Sequence, residues 1–160
     1  CIRDRWYGAM IDCMHDITAL ASLHAACFDR PWSEESFGEL LKGDGVHALG
    51  DANGFIVIRC VANEAEILTL GVLPDLRRAG LARKLVRAAM ELAVTQYRAA
   101  HVFLEVGAEN HGARDLYAGL GFICHGRRRQ YYANMDALMM WCDLTKGGSS
   151  ASGDEKEGVA

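Results

Sequence analysis

The sequence predicts one α/β domain in which helices flank a mixed β-sheet. Three observations carry that reading. Helical and strand periodicities run in the order helix, helix, three strands, helix, strand, helix, two strands. The strand 64–72 has apolar side chains on both faces, the pattern of a central, buried strand. A length of 160 residues, 51% hydrophobic and 24% charged, suits a single core that buries about 68–70% of the unfolded surface.

Residues 16–28 place Ile17, Leu20, Ala21, Leu23 and Ala25 on a partly apolar helical face. Pro31 stops that helix, since it lacks a backbone donor and restricts the residue before it. Ser33 is placed to cap a second helix, and Glu34 and Glu35 put negative charge where the helix dipole favours it. Phe37, Leu40 and Leu41 form the inward stripe of that helix. Residues 46–50 and 54–61 read as a hairpin around the turn DANG. The central strand 64–72 follows and is stopped at Pro74-Asp75. From Gly80 to about Tyr97, Leu81, Leu85, Ala88, Ala89 and Leu92 recur at helical spacing, with Arg83, Lys84, Arg87 and Glu91 off that stripe. Residues 101–106 form a strand. Asn110 caps a short helix on Ala113, Leu116, Tyr117 and Leu120, and Gly121 ends it. Strands 122–129 and 138–144 close the sheet.

The domain is expected to span residues 10–145. Residues 1–9 are read as a non-native or disordered leader. Their CIRDR opening resembles one reading frame of a sequencing adapter, and Met10 or Met14 offers another start. Residues 146–160 have too little apolar content for a core and are expected to be disordered.

Seventeen basic against 21 acidic residues give a net charge of −4, which argues against a global attraction to nucleic acid or to an anionic membrane. Basic character is local, around 77–87 and 127–129. No apolar run approaches the ~18 residues of a membrane span, and no signal peptide is evident, so the expected location is cytoplasmic. Six cysteines without a C-x-x-C pair read as free thiols, and six histidines without helical pairing are assigned to no metal. The expected state is a monomer without a membrane or direct nucleic-acid partner.

The stretch LRRAGLARKL at 76–85 carries the first chemical signal. A strand leading into a helix presents unpaired N–H groups at the helix N-terminus, and those donors suit a diphosphate. Gly80 permits close approach of the backbone, Ala82 does not obstruct it, and Arg77, Arg78 and Arg83 add charge-assisted donors. No Lys-Ser/Thr follows the glycine and no G-x-G-x-x-G is present, so coenzyme A fits better than ATP or NAD. Taken alone, the segment reads more readily as an ordinary helix start with a solvated basic face.

Further segments add to it: RPWSEESF at 30–37, LEVGAEN at 104–110, ARDLYAGLGF at 113–122 and RRRQYY at 127–132. Together with Arg77-x-x-Gly80-x-Ala82, they resemble, in order, the GCN5-related N-acetyltransferase (GNAT) superfamily. Within it the likeness is greatest to the bacterial ribosomal-protein-alanine N-acetyltransferase subfamily and covers about residues 10–144. The resemblance implies a mixed, mostly antiparallel sheet of six to seven strands with about four helices, its central strands splayed into an acetyl-CoA cleft. It further implies that Leu70, Gly71 and Val72 meet the pantetheine arm, and that Arg77, Arg78, Ala79, Gly80, Leu81, Ala82 and Arg83 meet the diphosphate. Asn110 would touch the same arm, besides capping its helix.

Glu105 lies on a strand whose neighbours Leu104 and Val106 point the opposite way. By resemblance Glu105 is the general base, directly or through water; its competing role is a rim carboxylate in a salt bridge. Tyr117 matches the tyrosine that protonates the departing sulfur; its competing role is core packing. Trp32, Tyr131 and Tyr132 are expected at the acceptor, with plain packing the alternative for Trp32. No metal takes part. The implied acceptor is the N-terminal alanine of small-subunit ribosomal protein eighteen. An α-amine, with a pKa near ~7.7–8.0 against ~10.4 for lysine, is neutral in about a tenth of copies at pH 7, which suits a single carboxylate base. Departures at Arg30, Gln130 and Met135, on the acceptor side, leave open another protein N-terminus or a small-molecule amine. A coenzyme A-binding module without turnover is the third possibility, opposed by the presence of both Glu105 and Tyr117.

Overall fold

A computed structural model describes residues 11–132 and 135–148. The expected leader 1–9 and most of the expected tail lie outside that range.

Seven strands form one sheet: β1 (Asp12–Cys13), β2 (Val46–Asp51), β3 (Gly54–Val61), β4 (Glu64–Val72), β5 (His101–Gly107), β6 (Ile123–Tyr132) and β7 (Met135–Asp143). Their spatial order is β1-β2-β3-β4-β5-β7-β6. Only β4 and β5 run parallel; the other neighbours are antiparallel. Four α-helices pack on the sheet: α1 (Ile17–Cys27), α2 (Glu34–Leu41), α3 (Leu81–Tyr97) and α4 (His111–Ala118).

Local chemistry starts these elements where the sequence says it should. Asp16 accepts from Ala19 N–H at the head of α1, Ser33 from Ser36 N–H at α2, and Asn110 from Ala113 N–H at α4. Asp51 Oδ1 accepts from the amides of Asn53 and Gly54, at 2.8 and 3.1 Å, and so turns the β2–β3 hairpin. Apolar side chains then divide into two layers. Leu85, Val86, Ala89 and Leu92 of α3, with Tyr117 of α4, pack on Ile56, Ile58, Ile67, Val102 and Leu104 of the sheet. Leu20 and Leu23 of α1 and Phe37 of α2 pack on Ala48, Phe55 and Val57.

The β4–β5 pair positions the site. Its register runs from Glu64↔His101 to Ile67↔Leu104 and stops there, although β4 continues to Val72 and β5 to Gly107. Next to the parting point Leu68 is an extra residue: Val57 of β3 faces Thr69 and Ile58 faces Ile67. A bulge of this kind bends its strand and increases the local twist.

The structure adjusts several expectations. Ala25 is exposed and His24 is buried instead, so the inward face of α1 is turned from the one read off the apolar residues. Strands β6 and β7 extend towards each other until Tyr132 faces Met135, taking in residues read as loop. Regular α4 ends at Ala118, and Gly121, at φ 92°, closes the next turn, with Phe122 N–H donating to Tyr117 O. The two-residue β1 has too short a pattern to be read from sequence.

Candidate active site

A cleft of about 720 Å³ lies between the end of β4, the loop before α3 and the start of α4. Strand β4 contributes Leu70, Gly71 and Val72 to its wall. The loop and first turn of α3 contribute Arg77, Arg78, Gly80, Leu81, Ala82 and Arg83, and the cap of α4 contributes Asn110. Of the residues expected at the cofactor, only Ala79 is absent from the lining; it sits between two that are present.

The loop has the geometry of an anion cradle. Arg78 and Gly80 both adopt left-handed backbone, at φ 67° and 87°, which turns the chain sharply into α3. No side chain caps α3, and its first backbone bond is Lys84 N–H to Gly80 O. The amides of Leu81, Ala82 and Arg83 are therefore left without backbone acceptors among the described residues, and the helix dipole points its positive end at the cleft. A Cβ added at Gly80 would meet nothing within 4 Å, so the cradle is open space. Arg77 does not extend freely into it: its Nε donates to Val72 O at 3.0 Å. Arg83 Nη1 donates to Gly119 O at 3.3 Å, which ties α3 to the end of α4. The donors, the open volume and the lack of a filling side chain fit a bound diphosphate.

Gly71 is required by packing rather than by backbone freedom. A Cβ there would lie 2.6 Å from Phe55 Cε1 and 3.1 Å from Cys27 Sγ. Cys27 and Phe28, at the end of α1, line the cleft without having been flagged by any motif. Burial pushes the Cys27 thiol up, and the Arg77 guanidinium beside it partly opposes that shift. The described cysteines are all free thiols.

Glu105 is the first residue of β5 beyond the last β4 pairing. Leu104 and Val106 are buried on the α3–α4 side, so the Glu105 carboxylate faces the other way. Its Oε1 lies 2.9 Å from Arg128 Nη2, with 26% of the glutamate side chain and 51% of the arginine exposed. Tyr117 is 6% exposed, packs its ring on Phe122 at a centroid distance of 5.5 Å, and belongs to the layer beneath α3. Burial pushes its hydroxyl up to about 12. Neither residue lines the cleft itself; Tyr117 is buried in the α3–α4 layer and Glu105 faces the other side of the sheet.

On the acceptor side, Trp32 is partly exposed and stacks on His24 at 5.0 Å. Trp32 N–H donates to His24 Nδ1 at 3.1 Å, which fixes the loop between α1 and α2. Tyr131 and Tyr132 end β6, and their side chains lie outside the described set. Arg127 Nε pairs with Asp136 Oδ2 at 2.6 Å and bridges the same hairpin. Among the described residues, no cluster of three or more His, Cys, Asp or Glu side chains is arranged to hold a metal.

Residues 17–122 match the model of the acetyltransferase (GNAT) family. A Bacillus subtilis protein provisionally named a ribosomal protein bS18-alanine N-acetyltransferase is 33% identical over 141 residues, covering 83% of this chain and 93% of that one. The Escherichia coli K12 ribosomal protein bS18-alanine N-acetyltransferase is 31% identical over 125 residues, 76% of this chain and 84% of that one. The crystal structure of the ribosomal-protein-S18-alanine N-acetyltransferase from Escherichia coli superposes with a TM-score of 0.77 at 27% identity, covering 92% of this chain and 98% of that one. With the parted strands, the open anion cradle and a family match over most of its length, this chain belongs to the GNAT acetyltransferase family and is an acetyl-CoA-dependent N-acetyltransferase.

Proposed function

We propose that the protein acetylates the α-amine of a protein N-terminus, with an alanine-initiated ribosomal protein of the bS18 type as its acceptor. The parting of β4 and β5 carries the reading, because it puts Glu105 at the opening between the two faces of the sheet. The names of the relatives support the acceptor class. In this reading the β4 edge at Leu70–Val72 holds the pantetheine amides in the manner of an added strand, and the α3 amides hold the diphosphate.

Glu105 and Tyr117 then divide the proton work. Glu105 takes a proton from the acceptor ammonium, directly or through one water. The neutral nitrogen forms its bond to the thioester carbonyl carbon as the carbon–sulfur bond breaks. Tyr117, which keeps its proton across neutral pH, gives it to the departing sulfur. The second amine proton replaces the one Tyr117 has given, so one proton is released overall. A base on one face and an acid on the other suit an acceptor and a cofactor that enter from opposite sides.

A panel of peptides tests this. Peptides beginning Ala-Arg-Tyr, Ser and Met, and an N-terminally blocked lysine peptide, are incubated with enzyme and acetyl-CoA and read by mass spectrometry. The expected product is the α-acetylated alanine peptide. Modification confined to the lysine of the blocked peptide overturns the α-amine assignment. Cofactor binding without turnover on any peptide or small amine would make the chain a binding module.

A further inference from the structure

We infer that Arg128 is the resting counter-ion of Glu105, a positioning residue that the α-ammonium group of the acceptor displaces on entry. The inference rests on the proposed function, since it takes Glu105 as the base.

The geometry has three parts. First, the guanidinium sits on the carboxylate itself, Nη2 to Oε1 at 2.9 Å, at the point where β4 and β5 separate. Second, the two side chains belong to strands that are not neighbours. Strand β7 lies between them, with Glu105 facing Met139 and Arg128 facing Ala137, so the arginine reaches diagonally over β7. The arginine side chain is half exposed in that posture. Third, the hairpin has another tie: Arg127 pairs with Asp136.

The chemistry favours an exchange. A guanidinium and an α-ammonium each carry one positive charge and several N–H donors, so swapping one for the other keeps Glu105 compensated throughout. A partly exposed arginine–carboxylate pair is weak enough to be exchanged rather than locked. An acceptor whose N-terminus is already blocked carries no charge to offer and leaves the pair in place.

Calorimetric titration of the CoA-saturated enzyme with the alanine-initiated peptide tests the exchange. Arg128→Gln is expected to tighten peptide binding about two- to fivefold, the release of a half-exposed competing pair. Arg128→Met, which keeps the aliphatic stem, should act in the same direction, and Arg128→Lys should stay near wild type. With Glu105→Gln in the background, Arg128→Gln should change nothing, and a blocked peptide should bind alike with or without Arg128. Weaker or unchanged binding in Arg128→Gln, or equal shifts for free and blocked peptides, overturns the inference. Turnover separates the two levels. Full activity in Glu105→Gln removes the base assignment and this inference with it. Lost activity in Glu105→Gln with unmoved binding in Arg128→Gln sinks the exchange alone.

Discussion

Arg77 donates from Nε to the carbonyl oxygen of Val72 at 3.0 Å and so fastens the loop before α3 to the end of β4. A hydrogen bond from a charged group is worth about 1.5–3 kcal/mol. Arg77→Met should therefore raise the KM for acetyl-CoA and the Kd for CoA by about tenfold. Under the proposed function the acceptor peptide does not meet the cradle, so its KM should stay constant. Initial rates with each substrate varied in turn check this.

Two glycines of the cleft should respond differently to alanine. At Gly80 there is room for a methyl group, but φ of 87° puts an L-residue in left-handed backbone at a cost of about 1–2 kcal/mol. At Gly71 the methyl would overlap the Phe55 ring, an overpacking cost of about 1–3 kcal/mol. Both variants should melt several degrees lower. Gly80→Ala should also weaken CoA binding, since it adds a methyl group in open space on a residue that lines the cleft. Thermal melts with and without CoA distinguish the two.

Tyr117→Phe keeps the ring that packs on Phe122 and removes only the hydroxyl. Loss of a positioned acid should lower kcat by about 10²–10⁴ while the melting temperature stays close to wild type. Because burial pushes that hydroxyl up to about 12, no alkaline fall in rate below about pH 10 should be traceable to Tyr117. Such a fall in wild type that disappears in Tyr117→Phe would show that burial does not hold the hydroxyl that high, and an unchanged kcat in Tyr117→Phe would remove Tyr117 from the acid role.

Stability should fall on mild acidification. Burial lowers the pKa of both His24 and His47 below the ordinary 6.5, and His24 accepts a hydrogen bond at Nδ1, which requires the neutral ring there. The unfolded chain takes up protons below about 6.5 while the folded one resists them. The stabilisation is complete above that pH and is lost as pH drops towards the lowered folded values. Urea midpoints should be level between pH 7 and 8 and decline from pH 6.5 to 5.5. His24→Phe should flatten part of that decline, at the cost of the Trp32 amide's acceptor.

Features encoded locally were legible in the sequence. Strand 64–72, the Asn110 cap and the glycine entering α3 each depend on residues within one turn or one strand. The arginines and glycine before α3 pointed to that wall of the cleft, whereas the β4 wall was read from the family resemblance; both line the cleft. What depended on distant partners was not legible. Cys27 and Phe28 reach the cleft only because α1 packs over β4, and nothing near them in sequence signals it. His24 lies inward because Phe28, Trp32, Phe37 and Phe55 gather around it. Arg128 was visible as one of three consecutive arginines, but its partner is 23 positions earlier across an intervening strand.

The early end of the β4–β5 ladder leaves peptide groups of both strands facing a gap inside the sheet. Peptide groups are identical whatever side chain they carry. Under the proposed function, the cofactor arm read by the β4 edge is indifferent to substitution along it, so long as no new bulk fills positions such as Gly71. Recognition of the acceptor falls instead to side chains on the far face, around Glu105, Arg128 and Trp32. Mutation can thus retune which N-terminus is modified while the grip on the acetyl donor is inherited unchanged.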